Sequence, residues 1–280
     1  MQLIIDSGST KSKCCLVDQS LIVQEIITEG INPYVTSEQK IAEILHNLNE
    51  QLSVKPTEIF YYGAGCSNEK NNSLIEKYLR NINASATIEV SHDLLAVARS
   101  LCGRSAGIAV ILGTGSNSCL YDGEKIIRNT ASLGYVLGDE GSGAYIGKKL
   151  IAAYLYDRMP EETRNSFQKK FESLSLELVL NKVYKEEAAN AYLASFCKWA
   201  SENLNDEYVQ NLVYVSFKEF IELHILPYGK SLSNKIYSVG SIAYYFSEVC
   251  KRALEEYGYE MYLGAQDPME GLINYHAWKS

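Results

Sequence analysis

Apolar residues in the first hundred positions fall into short runs, each closed by a polarity change. Leu3-Ile4-Ile5 stops at Asp6, Cys14 to Val17 stops at Asp18, and a third run covers Leu21–Thr28. These predict three strands, Gln2–Ile5, Lys13–Val17 and Leu21–Thr28, separated by turn residues. The period then changes. Ile41, Ile44, Leu45 and Leu48 recur at helical spacing, and Ser37 stands where an N-cap belongs, which predicts a helix over about Ser37–Leu52. A strand Ile59–Tyr62 closed by "GAGC", a helix near Ser67–Asn81, a strand Thr87–Val90 and a helix near Asp93–Leu101 complete the order βββαβαβα.

The order recurs. Ile108–Leu112, Cys119–Tyr121 and Lys125–Arg128 read as three strands, and a helix over about Ala144–Tyr156 follows "GDEGSG". Glu/Lys-rich periodic stretches over about 160–225 predict a long helical insertion. Strand Lys235–Val239, helix Ile242–Tyr257, strand Tyr259–Leu263 and a last helix near Pro268–Ala277 close the pattern. "IIDSGSTKSKCCLVD" and "VILGTGSNSCLYDG" share one plan about a hundred residues apart. Such self-similarity signals duplication. It predicts an α/β fold with mixed sheets, in two similar domains over 1–105 and 106–280 with a cleft between them, the boundary falling at "CGRSAG". The last helix has a possible partner in the first domain.

Composition narrows the function classes. A length of 280 residues suits about two domains. The net charge of −8 argues against nucleic acid, because neutralising phosphates takes surplus Lys and Arg. It leaves small anions open, since backbone N–H groups hold them without net charge. No basic leader precedes the first apolar run, and no stretch approaches a membrane span. The 7 cysteines are scattered without a CxxC pair, so reduced thiols in a cytoplasmic setting are expected. The 21 tyrosines have no functional reading.

Two hydroxyl/glycine loops carry the chemistry. Each alone reads as a hairpin turn; together, at equivalent places, they suit gripping phosphates from both sides, since glycine permits close backbone approach. Asp6 at the end of an apolar strand is either a turn residue or a carboxylate facing Mg²⁺. The second loop has Leu112 at the corresponding place, so one metal at one loop is expected. Asp93 opens a helix, as a cap or as a general base. His92 reads as a packing or surface residue. Asp139, in "LGDEGSG", either leads into an N-cap or grips a hydroxyl-rich ligand. "GKS" at 229–231 is no P-loop, because His224 stands where the pattern needs glycine.

"DSGSTKSK", "SHD", "LGTGSNS", "LGDEGSG" and "VGSIAYYF" together resemble the N-acetylglucosamine kinases of the BadF/BadG/BcrA/BcrD ATPase family, within the actin-like ATPase superfamily, over nearly the whole chain. The resemblance implies two ribonuclease H-like domains and an ATP- and Mg²⁺-dependent phosphotransferase acting on an amino-sugar hydroxyl, most specifically the 6-hydroxyl of N-acetylglucosamine. It implies metal at Asp6, phosphate contacts from Gly8, Ser9, Thr10, Lys11, Gly113, Thr114 and Gly115, and an adenosine pocket at Gly240 and Ser241. Asn32, Asp93, Gly134 and Asp139 would contact the sugar, with Asp93 as base. A tryptophan precedes the corresponding glycine in animal relatives; here it is Leu133, which leaves the acceptor open. The expected partners are a small sugar and, for assembly, a second copy of the chain; nucleic acid and membrane are not expected. Two alternatives stand beside this: an ATPase activating a 2-hydroxyacyl-CoA dehydratase or benzoyl-CoA reductase, and a non-catalytic nucleotide sensor. The activator's typical "DIGGQD" second loop and cluster cysteines are missing from this sequence.

Overall fold

A computed structural model of the chain describes residues 1–8, 10–186, 188–264 and 268–277. They form two compact units. One holds Met1–Ser105 and Gly123–Lys125 together with the last helix; the other holds Ala106–Asp122 and the chain from Ile126 onward to the last strand.

In the first unit, strands β1 (Gln2–Ser7), β2 (Lys11–Asp18), β3 (Leu21–Glu29), β4 (Glu58–Gly63) and β5 (Thr87–His92) form one sheet in the order β3-β2-β1-β4-β5. The first three are antiparallel, while β4 and β5 run parallel to β1. Helices α1 (Glu38–Gln51), α2 (Glu69–Leu79) and α3 (Asp93–Cys102) make the parallel crossovers. Ser37 caps α1 by accepting from the Lys40 amide, and Ile41, Ile44, Leu45 and Leu48 form its buried stripe. Alternation along β1 sends Leu3 and Ile5 to the core under α1 and α2, and Ile4 to the opposite face.

That opposite face is covered by the last helix, α13 (Met269–Ala277), whose Met269, Leu272 and Ile273 are buried with Ile4, Val17, Phe60 and Tyr62. Polar contacts pin the helix. Arg99 donates to the Tyr62 hydroxyl (2.7 Å) and pairs with Glu89, and Tyr62 lies 2.8 Å from His276 Nε2. His276 stacks on Phe60 with ring centroids 3.7 Å apart. Several tyrosines find a structural use as platforms for cations: the Arg104 guanidinium sits 4.0 Å from the Tyr275 ring centre.

The second unit repeats the topology. Strands β6 (Gly107–Leu112), β7 (Ser116–Tyr121), β8 (Ile126–Asn129), β9 (Lys235–Val239) and β10 (Glu260–Leu263) form the order β10-β9-β6-β7-β8. Counted within the unit, this is again third, second, first, fourth, fifth. The fold is therefore α/β with two duplicated ribonuclease H-like halves, each built on a mixed five-stranded sheet.

Between β8 and β9 lie α4 (Gly134–Leu137), α5 (Gly143–Leu155) and the insertion: α6 (Glu161–Lys170), α7 (Leu176–Tyr184), α8 (Ala189–Ala194), α9 (Cys197–Glu202) and α10 (Glu207–Phe220). Helix α10 runs into a π-helical turn, Ile221–Ile225, and a 3₁₀ turn, Leu226–Tyr228. The helix expected over Ile242–Tyr257 is two helices, α11 (Ser241–Tyr245) and α12 (Ser247–Glu256), because Phe246 leaves helical geometry (φ −114°, ψ 22°) with its side chain buried. The four-residue α4 is an addition that the glycine-dense sequence did not signal.

The insertion packs on α5 through a glycine. A Cβ at Gly147 would fall 1.8 Å from the Leu193 carbonyl oxygen of α8. In an open helix Gly→Ala gains roughly 1 kcal/mol, but here backbone must move, and overpacking costs roughly 1–3 kcal/mol. Gly147→Ala is expected to lower the urea midpoint of unfolding; an unchanged or higher midpoint would contradict this contact.

Candidate active site

Both loops are turns between antiparallel strands. Ser7 faces Ser12, leaving residues 8–11 as the first connection; Leu112 faces Ser116, leaving 113–115 as the second. The first is one residue longer, which corrects the expected correspondence. Ser7 pairs with Gly63 on the parallel side and Ile111 with Val239, so Leu112 and Gly240 stand where Ser7 and Gly63 do. The counterpart of Asp6 is Ile111, not Leu112. The asymmetry is unchanged: an acid in one half and an aliphatic in the other.

The first loop is braced by its own turn and by the chain leaving β3. The Gly8 amide donates to the Lys11 carbonyl and the Gly30 amide to the Thr10 carbonyl, both at 3.0 Å. A Cβ at Gly30 would come within 2.2 Å of the Gly8 oxygen and 2.5 Å of the Lys11 nitrogen, so only glycine fits. Gly8, Thr10 and Lys11 are exposed on this turn, and Asp6 is half-buried at its base. Ser9 lies outside the described residues.

Asn32 and Asp93 gather on the same unit. Gly63–His92 and Ser7–Gly63 are in register, so β1, β4 and β5 end level with one another. Asp93 is thus two strands from the end of β1, about 10 Å at ordinary strand spacing. Asn32 Oδ1 accepts from the Tyr34 amide (3.1 Å), an Asx turn, and packs against Gly65, where a Cβ would lie 2.4 Å from it. Burial first, and then the Asp93 charge, push the thiol of Cys66 on the same loop up to about 12. Asp93 opens the first turn of α3, where an acid suits the helix dipole, while the N-cap itself is His92, its Nδ1 accepting from the Leu94 amide at 3.1 Å. Asp93 Oδ1 lies 2.8 Å from that nitrogen, and the carboxylate is more than a third exposed.

In the second unit, Gly113, Thr114, Ser241, Ile242 and Tyr245 line a cavity of about 590 Å³, closed by Ala194, Ser195, Cys197, Lys198, Ser201 and Glu202 of the insertion. That is a usual size for a small-molecule site. Gly240 makes the corner possible: its φ is +108°, and a Cβ would lie 2.2 Å from the Leu112 oxygen. Gly113 differs, because a Cβ there would meet nothing within 4 Å. Its smallness serves the open cavity and not the protein's own packing. The loop carbonyls are tied to α5, accepting from the amides of Gly143 (2.8 Å) and Ala144 (3.0 Å). Cys197 donates to the Gly143 carbonyl, and burial pushes its thiol up to about 12, so it is an inert wall residue. Only small residues at Ala194, Ser195 and Ser201 hinted at this wall in the sequence.

Asp139 is buried behind the second loop. Its Oδ1 accepts from the Ser132 hydroxyl (3.3 Å), the Ser116 amide also donates to the carboxylate, and Gly115 is glycine because a Cβ would press on Oδ2 at 2.9 Å. Asp139 and Gly134 both have positive φ, +60° and +72°. Gly134 opens α4, beside Leu133, which is well exposed. Glu140, the next residue, accepts from His224 Nε2 at 3.0 Å.

Fold and loops together define a nucleotide-binding protein of the actin-like ATPase class. A family model described as the BadF/BadG/BcrA/BcrD ATPase family matches residues 5–210, and the chain belongs to that family. It is similar to a candidate N-acetylglucosamine kinase from Porphyromonas gingivalis, with 36% identity, a TM-score of 0.87 and 99% of each chain covered. It is 28% identical over 144 residues to the N-acetylmuramic acid/N-acetylglucosamine kinase of Clostridium acetobutylicum; the match takes in 51% of this chain and 42% of that protein, under half its length. A ROK hexokinase from Thermus thermophilus shares the fold alone, at 14% identity and a TM-score of 0.55, with 98% of this chain and 96% of that one covered.

Asp139 supplies a prediction. Burial raises its pKa, so the folded state disfavours the ionised form. The folded protein then holds this proton to higher pH than the unfolded chain, and stability falls as pH rises through the folded value. Asp139→Asn is expected to unfold at an equal or higher urea midpoint than the wild type at pH 7. The difference should vanish below the ordinary Asp range, roughly pH 4. A lower midpoint for the variant at pH 7 would contradict it.

Proposed function

We propose that the chain is an ATP-dependent kinase for an amino-sugar hydroxyl, with the 6-hydroxyl of N-acetylglucosamine as acceptor. The observation that carries the nucleotide half is Gly113, a glycine opening onto a cavity that no protein atom fills. Adenosine would occupy this cavity, with Gly240 and Ser241 at its corner. In each unit the turn, residues 8–11 in the first and 113–115 in the second, offers backbone amides and hydroxyls as phosphate contacts. The similarity to proteins named for N-acetylglucosamine supports the acceptor.

Asp6 would hold Mg²⁺. The fit is chemical: Mg²⁺ takes one or two carboxylates and otherwise uses phosphate oxygens and water. Asp6 offers one half-buried carboxylate, and among the described residues no cluster of three or more His, Cys, Asp or Glu side chains forms a cage. When bound, the ion neutralises charge on the phosphates.

Asn32 and Asp93 would bind the sugar, with Asp93 accepting the proton of the attacking hydroxyl. Its exposure supports this reading, since the carboxylate reaches solvent beside the His92 ring. Catalysis on this reading is positioning and electrostatics. Gly134 and Asp139 enter differently: Gly134 presents α4, and Asp139 acts by fixing residues 115, 116 and 132.

ADP release coupled to a panel of N-acetylglucosamine, N-acetylmuramate, glucosamine and glucose tests the reading. Turnover highest with N-acetylglucosamine is expected; silence with all four sinks it. Asp93→Asn should cut turnover by roughly 10²-fold or more while nucleotide affinity, followed by calorimetry, stays within error. Near-wild-type turnover in that variant would remove the base assignment.

A further inference from the structure

Residues 130–141 carry Gly134 and Asp139 and have almost no regular structure of their own, yet they are fixed at several points. Some anchors come from elsewhere in the unit: the Ser116 carbonyl accepts from the Ser132 hydroxyl at 3.1 Å and Lys148 donates to the Tyr135 carbonyl at 3.3 Å. The others come from the end of the insertion, α10 and the π-helical and 3₁₀ turns that follow it. The His224 carbonyl accepts from the hydroxyls of Thr130 (3.3 Å) and Ser118 (3.4 Å). The Tyr228 hydroxyl accepts from the Thr130 amide at 2.8 Å. At the far end, Gly141 (φ +71°) packs on Phe220, with a Cβ there only 2.9 Å from the Phe220 Cβ. In between, the His224 ring reaches Glu140.

The ring is held for this contact. It is buried, stacked on Phe220 with centroids 5.0 Å apart and an interplanar angle of 18°. A carboxylate only accepts, so the Nε2 nitrogen carries the hydrogen. Nδ1 is buried with no hydrogen-bond partner. A histidine kept in an apolar setting with one nitrogen unsatisfied is there for the bond the other makes. The extra residue of the π turn is what a regular helix lacks at this point, and such turns recur at functional positions.

The geometry points to His224 as a positioning residue: through Glu140 and through its own carbonyl it holds segment 130–141 in the shape that presents α4 and keeps Asp139 against residues 115, 116 and 132. What the segment binds rests on the sugar-kinase reading above; the anchoring does not. The helical insertion thereby gains a role at the acceptor side as well as a wall of the cavity at Gly113.

Hydrogen–deuterium exchange on the full chain without ligand tests this. His224→Leu should speed exchange of amides in 130–142 by roughly tenfold or more, the loss of one bond to a charged group. His224→Gln, which keeps an N–H donor at similar reach, should stay within about twofold of wild type by the same measure. Peptides from β1–β5 should not change in either. In an active enzyme, His224→Leu should also raise the KM for sugar while the KM for ATP holds. Wild-type exchange in His224→Leu overturns the proposal, as does equal loosening in His224→Gln or an unchanged sugar KM. If His224→Leu does not fold, Glu140→Ala deletes the same bond from its less buried end, and wild-type exchange there is equally fatal. Failure of the wild type on every sugar would fell the kinase reading alone, because the exchange comparison needs no substrate.

Discussion

Two backbone crossings without a Cβ hold this molecule's chemistry in place. In the first unit Gly30 crosses the turn after β1; in the second Gly240 crosses the end of β6. At both, a methyl group would sit about 2.2 Å from a carbonyl oxygen, far inside contact distance. The turns they brace are short, polar and otherwise able to move. Everything proposed of the phosphates depends on those turns holding one shape before a ligand arrives, since preorganised donors stabilise charge without reorganising.

The insertion does for the second half what crossover helices do for the first. It is bulky and uninformative at the level of motifs. Its energetics are those of an ordinary core: Phe167, Trp199, Val213, Phe217 and Ile221 are buried together with the apolar face of α5. Yet two parts of it reach the candidate site, α8 and α9 at the cavity beside Gly113, and the π turn at the segment bearing Asp139. A stable block that supports irregular loops is a common way to keep such loops rigid.

Most of the architecture was legible because strand and helix periods differ so clearly. The α1 stripe and its Ser37 cap follow from spacing alone. The duplication could be read from two similar turns, and the strand orders repeat it. Misses occurred where a tertiary contact overrides local pattern. Phe246 breaks a helix because its ring is buried. The offset of Asp6 against Ile111 depends on strand register, which the residues around the two turns do not reveal. Of the candidate site, the residues with special backbone needs were visible, being glycines and acids next to strands. Those that act by supporting them, His224 and the small residues of α8 and α9, look like any core histidine or helix surface until the chain is folded.

The last helix adds a constraint of a different kind. Ile4, Val17, Phe60 and Tyr62 are drawn from the first quarter of the chain, but their cover comes from Met269, Leu272 and Ile273. During synthesis the part of this face that Ala96 of α3 does not cover therefore waits, apolar and open, while the second unit is being made. Residues of the first unit thus stand on both sides of the second unit in the chain. Completion of the first unit reports that translation has passed α13, and a chain interrupted earlier carries an open sheet face of the kind that promotes aggregation or draws chaperones.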